Sequence, residues 1–159
     1  AHRECAGVLH FCGLGYSRAG DKPRPEGGAT SDHWLDVEKL TYEPNFEKCV
    51  RDSFAPVGLM LDYWGQDLPA GKENEFRVVV INDQYQDWQG TVRLSLLRNG
   101  STAATREVPA TVPALGRETL AIRQSVPPEP GEYLLVAELL GGPDKPVRSL
   151  RDAKIVPTP

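Results

Sequence analysis

GTVRLSLLRNGST, residues Gly90 to Thr102, opens with strict alternation: Val92, Leu94 and Leu96 fall on one side of an extended chain, and Thr91, Arg93 and Ser95 on the other. A period of two with one apolar set marks a half-buried strand, so the first set is expected in a core. Asn99-Gly100 comes next, and both residues tolerate positive φ. The pair predicts a two-residue hairpin turn that returns the chain antiparallel to itself. Asn99-Gly100-Ser101 is also a glycosylation sequon, but the turn accounts for it.

Working outward from this hairpin, short apolar runs alternate with clusters of Gly, Pro, Asn and Asp from Pro56 to Pro159. Seven strands are expected, over Val57–Trp64, Glu75–Asn82, Gly90–Leu97, Thr102–Val108, Arg117–Arg123, Glu132–Leu139 and Val147–Val156. The predicted fold is all-β, a seven-stranded immunoglobulin or fibronectin-III-like β-sandwich over 56–159. Pro127-Pro128-Glu129-Pro130-Gly131 breaks the pattern before Tyr133. That placement matches the tyrosine whose hydroxyl bonds backbone at a corner of such sandwiches.

Residues 1–55 lack the repeat and form an N-terminal extension of one strand, a long loop and one short helix. Ala6 to Leu14 (AGVLHFCGL) is a continuous apolar run suited to a strand covered on both faces. Residues 15–33 are rich in Gly, Pro and charge and are expected as loop. Pro44 suits the start of a helix over Asn45 to Phe54, with Phe46, Cys49, Val50 and Phe54 on one stripe. So small an extension cannot bury a core alone. The apolar run therefore calls for a partner, by docking on the sandwich, by pairing in a homodimer or by joining a larger sheet.

The chain has 159 residues, with 18 Lys plus Arg against 22 Asp plus Glu, a net charge of -4. Its basic residues are scattered, which argues against a nucleic-acid partner. No apolar run approaches the roughly 20 residues that span a bilayer, so no membrane segment is expected. The three cysteines, Cys5, Cys12 and Cys49, precede the sandwich and form no C-x-x-C pair. Buried free thiols are the expected state, and neither a zinc knuckle nor a disulfide framework is supported.

Chemistry-bearing patterns are sparse. His10, His33 and Cys49 show no nucleophile spacing, and Gly13-Leu14-Gly15 lacks both the P-loop and the dinucleotide pattern. No cofactor is expected. Asn82, Asp83 and Asp87 could offer oxygens to a calcium ion or cap their own turn, and capping is the simpler use. Tyr85-Gln86-Asp87-Trp88-Gln89 mixes aromatic rings with amide and carboxylate groups, the combination that receives the C–H faces and hydroxyls of a sugar. Tyr85, Asp87, Trp88 and Gln89 are therefore candidate carbohydrate-binding residues. The competing use of Trp88 is to fold back over the core. Tyr63 and Trp64, at the end of the first sandwich strand, are expected to seal the join between the two segments.

The order AGVLHFCGL, SDHWLDVEKL, EPNFEKCVRDSFAPVGLMLDYW and FRVVVINDQYQDWQGTVRLSLL resembles the C-terminal stretch of glycoside hydrolase family 2 enzymes. The likeness spans most of the chain and rests on segment order and on phrases such as FAPV and VINDQYQDW. It implies that Ala6–Leu14 and Asn45–Phe54 correspond to the last strand and helix of a (β/α)8 barrel, followed by a β-sandwich. It also implies that Trp34 lies near the barrel mouth and could line a sugar subsite, and that the protein is exported to the periplasm or the exterior. Glycoside hydrolysis needs two carboxyl groups flanking the bond. The family's catalytic glutamates lie on earlier barrel strands, which this chain lacks. Glu38, Glu43 and Glu47 are expected as solvated surface groups. The sequence thus predicts a non-catalytic accessory module of a glycosidase-like protein, carbohydrate-binding or substrate-positioning; the alternatives are a purely structural domain buttressing a family 2 barrel and a fragment of an intact β-glycosidase whose catalytic glutamates lie upstream.

Overall fold

The computed structural model describes residues 34–36, 39, 41–141 and 146–158, residues 34–36 by their backbone alone. The chain divides into two compact units, one ending at Arg51 and the other running from Asp52 to Pro159. The strand expected over Ala6–Leu14, the loop expected over 15–33, and His10, His33, Cys5 and Cys12 lie outside the described residues.

In the first unit the structure adds a pairing that the sequence pattern does not announce. Strands β1 (Trp34–Asp36) and β2 (Thr41–Tyr42) pair antiparallel, with a register shift between Trp34 and Asp36. Both are too short for a period to be read from side chains. Helix α1 spans Phe46–Ser53, one residue inside each expected boundary, and Tyr42 meets Phe46 at a ring separation of 5.2 Å. Cys49, expected buried, is exposed. A helix of little more than two turns can cover only part of its apolar stripe, and here Phe46 and Val50 are half-buried while Cys49 and Phe54 stand in solvent.

The second unit is a two-sheet sandwich. One sheet orders as β3 (Val57–Asp62), β5 (Glu73–Asn82) and β8 (Arg117–Ser125). The other orders as β4 (Leu68–Pro69), β10 (Val147–Val156), β9 (Gly131–Leu140), β6 (Trp88–Arg98) and β7 (Ser101–Val112). The seven-strand expectation is short by one: β4 pairs in parallel with β10 through Leu68↔Ile155, giving eight strands from Asp52 onward among the described residues. Two residues between loops carry no alternation, so only tertiary pairing defines β4. The chain visits the larger sheet briefly at β4 between β3 and β5, then changes sheet between β5 and β6, between β7 and β8, and between β8 and β9, where β9 returns beside β6. This crossover pattern is that of Greek-key sandwiches.

The alternation read from Val92, Leu94 and Leu96 holds: all three are fully buried. They meet Leu61, Phe76, Val78, Val80 and Ile122 of the facing sheet, and Leu135, Ala137 and Ile155 beside them complete the core. Arg98 and Ser101 close the β6–β7 hairpin around Asn99 and Gly100, whose φ of 51° and 78° suit a turn with both central residues left-handed. A bulge follows, because Leu96 faces Ala104 while Leu97 faces Thr102. β7 is an edge strand, the position in which Pro109 can lack an N–H without breaking a central ladder. On the outer face Glu107, Arg93, Glu138 and Arg148 form a cross-strand row of ion pairs, with N–O distances of 2.9, 3.5 and 2.7 Å.

The two sheets are also tied along one flank. The backbone N–H of Leu61 in β3 donates to Ser149 Oγ in β10 at 3.0 Å, a buried bond across the sandwich. β3 begins where Asp83 N–H donates to Pro56 O, so the chain enters at the end carrying the β5–β6 loop; β10 runs away from that end and finishes beside β4.

Tyr133 fulfils the corner role expected of it. Its ring is buried, its hydroxyl donates to Glu129 O at 2.9 Å, and the Arg98 guanidinium sits 5.5 Å from the ring centroid. Tyr133→Phe removes only that bond, so stability should fall by about 1 kcal/mol. Urea denaturation should show a lower midpoint with an unchanged slope.

Candidate functional site

One end of the sandwich gathers the residues singled out by chemistry. The loop 83–87 joins β5 to β6, and the loop 113–116 joins β7 to β8 beside it. Asn82, fully buried at the last position of β5, fastens them. Its Nδ2 donates to Gln86 O at 2.8 Å, Val112 O at 3.2 Å and Pro113 O at 3.1 Å, and its Oδ1 accepts the Gln84 N–H at 3.0 Å. Backbone bonds complete the clasp: Asn82 N–H donates to Gly116 O and Leu115 N–H to Gln84 O, both at 2.9 Å. Asp87 Oδ1 accepts the Ala114 N–H at 2.9 Å. These are capping and loop-fastening contacts, and no cluster of three or more metal-ligating side chains occurs among the described residues.

This clasp holds the tip residues in distinct environments. Tyr85 is 91% exposed, and Gln86, Asp87 and Gln89 are exposed with it. Leu115, 44% exposed, is held at φ 51°, a left-handed conformation unusual for a branched apolar residue. Trp88 is half-buried and packs against the core. Its ring occupies the space that a side chain at residue 90 would need: a Cβ on Gly90 would lie 2.4 Å from Trp88 Cζ2 and 2.8 Å from Leu140 O. The structure therefore places Tyr85 and Asp87 on one solvent-facing loop and Gln89, also exposed, at the start of β6, and turns Trp88 toward the sheet interior. Trp34 lies in β1, in the other unit.

The sequence reading passed over Asn82 as the organiser of this end. An Asn-Asp pair closing a strand reads as an ordinary turn, and nothing local reveals that its amide reaches carbonyls 30 and 31 residues away. The Trp88 packing did leave a signal. Residues i and i+2 of a strand share a face, so Trp88-Gln89-Gly90 sets a large ring beside an empty position.

Fold and loop geometry define a two-sheet β-sandwich whose end loop is fastened by the Asn82 hydrogen bonds. No family model and no curated protein matches the chain. Among solved structures it is similar to the CARDB domain of a Pyrococcus furiosus protein, determined in complex with di-metal ions. The TM-score is 0.50 at 15% identity, covering 64% of this chain and 94% of that one. That likeness shows the fold. A glycosyl hydrolase family 2 member from Bacteroides cellulosilyticus aligns with a TM-score of 0.46 at 17% identity, over 59% of this chain and 15% of that enzyme. A family 2 β-glucuronidase aligns with a TM-score of 0.48 at 11% identity, over 61% of this chain and 12% of the other. The chain thus spans a small part of either enzyme. No helix among the described residues is long and apolar enough to cross a membrane.

Proposed function

We propose that this chain supplies a non-catalytic β-sandwich module to an exported, glycoside hydrolase family 2-like protein, and that its β5–β6 loop binds carbohydrate. The observation that carries this reading is Tyr85, an aromatic ring 91% exposed on a loop whose base is fixed by the Asn82 amide. A ring displayed on a rigid frame offers a stacking surface for the apolar face of a pyranose at little cost in ordering. The exposed Gln86, Asp87 and Gln89, close to it in the chain, would serve as partners for hydroxyls. The order of segments supports the family, and the apolar run Ala6–Leu14 would dock to a catalytic barrel or pair in a homodimer.

Tyr85→Ala should weaken binding at the loop at least tenfold, about 1.4 kcal/mol, which calorimetric titration of a neutral oligosaccharide reads as the loss of this site. The variant's thermal midpoint should stay that of the parent, since the ring buries almost nothing. A parent protein that gives no heat with any oligosaccharide at millimolar concentration would exclude the reading. The packing of Trp88 on the core favours a second reading, in which the sandwich only buttresses a barrel. Under it, Trp88→Ala lowers stability with no separate loss of binding.

A further inference from the structure

At the opposite end of β3 stands a second aromatic residue whose surroundings differ from those of Tyr85. Trp64 is 69% exposed, yet its ring is fixed on several sides. Its indole N–H donates to Asp62 Oδ1 at 2.8 Å, and the Arg151 guanidinium lies 5.0 Å from the ring centroid. Its backbone N–H reaches Gln66 Oε1 at 3.4 Å. Beneath this turn, buried Tyr63 donates its hydroxyl to Gln66 O and packs on Phe76. Burial and then the nearby Asp67 carboxylate push the Tyr63 phenol pKa upward, so the donor stays protonated.

Arg151 is the more telling member. It points from β10 toward the flank where Ser149 ties the sheets, and its Nε–H is buried without a hydrogen-bond partner. Leaving such a donor unpaired costs stability. Arg151 Nη1 donates to Leu150 O at 2.7 Å, which holds the guanidinium over the indole while most of the Trp64 side chain stays in solvent.

We infer that Trp64, with Asp62, Gln66 and Arg151 around it, forms a binding platform for a neutral sugar ring. The indole supplies a flat surface for pyranose C–H groups, and the Asp62 carboxylate and Gln66 amide beside it suit hydroxyls. Charge selects within this class. Asp62 and Asp67 balance Arg77 and Arg151, so an anionic ligand gains little. A cationic one is disfavoured because Arg151 already stacks on the indole. Pre-fixing the ring removes an ordering cost that a free tryptophan would incur on binding. The site does not depend on the Tyr85 loop, which lies at the other end of the domain.

Calorimetric titration of cellohexaose and mannohexaose into the parent chain, Trp64→Ala, Trp64→Phe, Arg151→Ala and Tyr85→Ala tests this. The expected result is a Trp64 site in the parent that loses at least tenfold in affinity in Trp64→Ala, is partly retained in Trp64→Phe and weakens severalfold in Arg151→Ala, each read as a change in the number and affinity of sites. Tyr85→Ala should keep binding at the Trp64 platform. Because the indole is largely in solvent, Trp64→Ala should retain the parent's thermal melt, and Trp64→Phe controls for any change in folding. No binding of either sugar by the parent, or parental affinity and stoichiometry in Trp64→Ala, overturns the inference. Loss in Tyr85→Ala with none in Trp64→Ala would overturn it while leaving the loop reading intact.

Discussion

Asn82→Asp is expected to fold at mildly acid pH and to lose its structure as the pH rises toward neutrality. The substitution keeps an oxygen for the Gln84 N–H but sets a second one against the carbonyls of Gln86, Val112 and Pro113, where Nδ2 now donates. A carboxylate buried among acceptors is held in its neutral form, so its pKa in the folded chain lies above the unfolded value of about 4. A group raised in this way leaves stability intact below the unfolded pKa and removes it as pH climbs through the folded pKa. The deficit at neutrality should reach several kcal/mol, a large share of the roughly 5–15 kcal/mol that holds a domain together. Asn82→Ala strands the same carbonyls without adding charge, so about 3 kcal/mol is expected with little pH dependence. Urea denaturation of both variants at acid and neutral pH separates the cases. Equal stability of Asn82→Asp at the two pH values would contradict the clasp.

Gly90→Ala should destabilise the sandwich by about 3 kcal/mol, at the upper end of what an added methyl does in a packed interior. The new Cβ meets the Trp88 ring on one side and the Leu140 carbonyl on the other, at 2.4 and 2.8 Å. Of these only the ring can move. Trp88→Ala removes a half-buried ring from the core's rim and should cost about 2 kcal/mol, less than the deletion of a fully buried aromatic. The double variant is the informative one. Room vacated by the indole relieves one clash but not the contact with backbone, so its loss should fall short of the summed single losses by about 1 kcal/mol. Additive losses would mean that the two residues do not share the space between them.

How far the chain could be read in advance depended on the range of each interaction. The hairpin at Asn99-Gly100 was legible because positive φ is a local demand that few residues meet. The core set Val92, Leu94 and Leu96 was legible because a strand's period is carried by its own side chains. Tyr133 and its upstream Pro-rich corner were legible for the same reason, since the bond spans only four residues. Contacts between distant positions left no trace: Asn82 with Pro113, Leu61 with Ser149, and Trp64 with Arg151 join strands that no local pattern associates. Trp88 lay between these cases. Two uses were open to it from composition, and its packing against Gly90 became visible only once both were set on one face of β6. The pairing of β1 with β2, and β4 beside β10, had too few residues to announce themselves.

The seam between β3 and β10 bears on how the domain transmits distance and load. The chain enters at Val57 and departs at Val156 from opposite ends of neighbouring strands that run the same way. A ten-residue strand measures roughly 33 Å. The first residue of β3 and the last of β10 therefore lie about that far apart, and a pull on those two points would slide the strands past one another instead of peeling them apart.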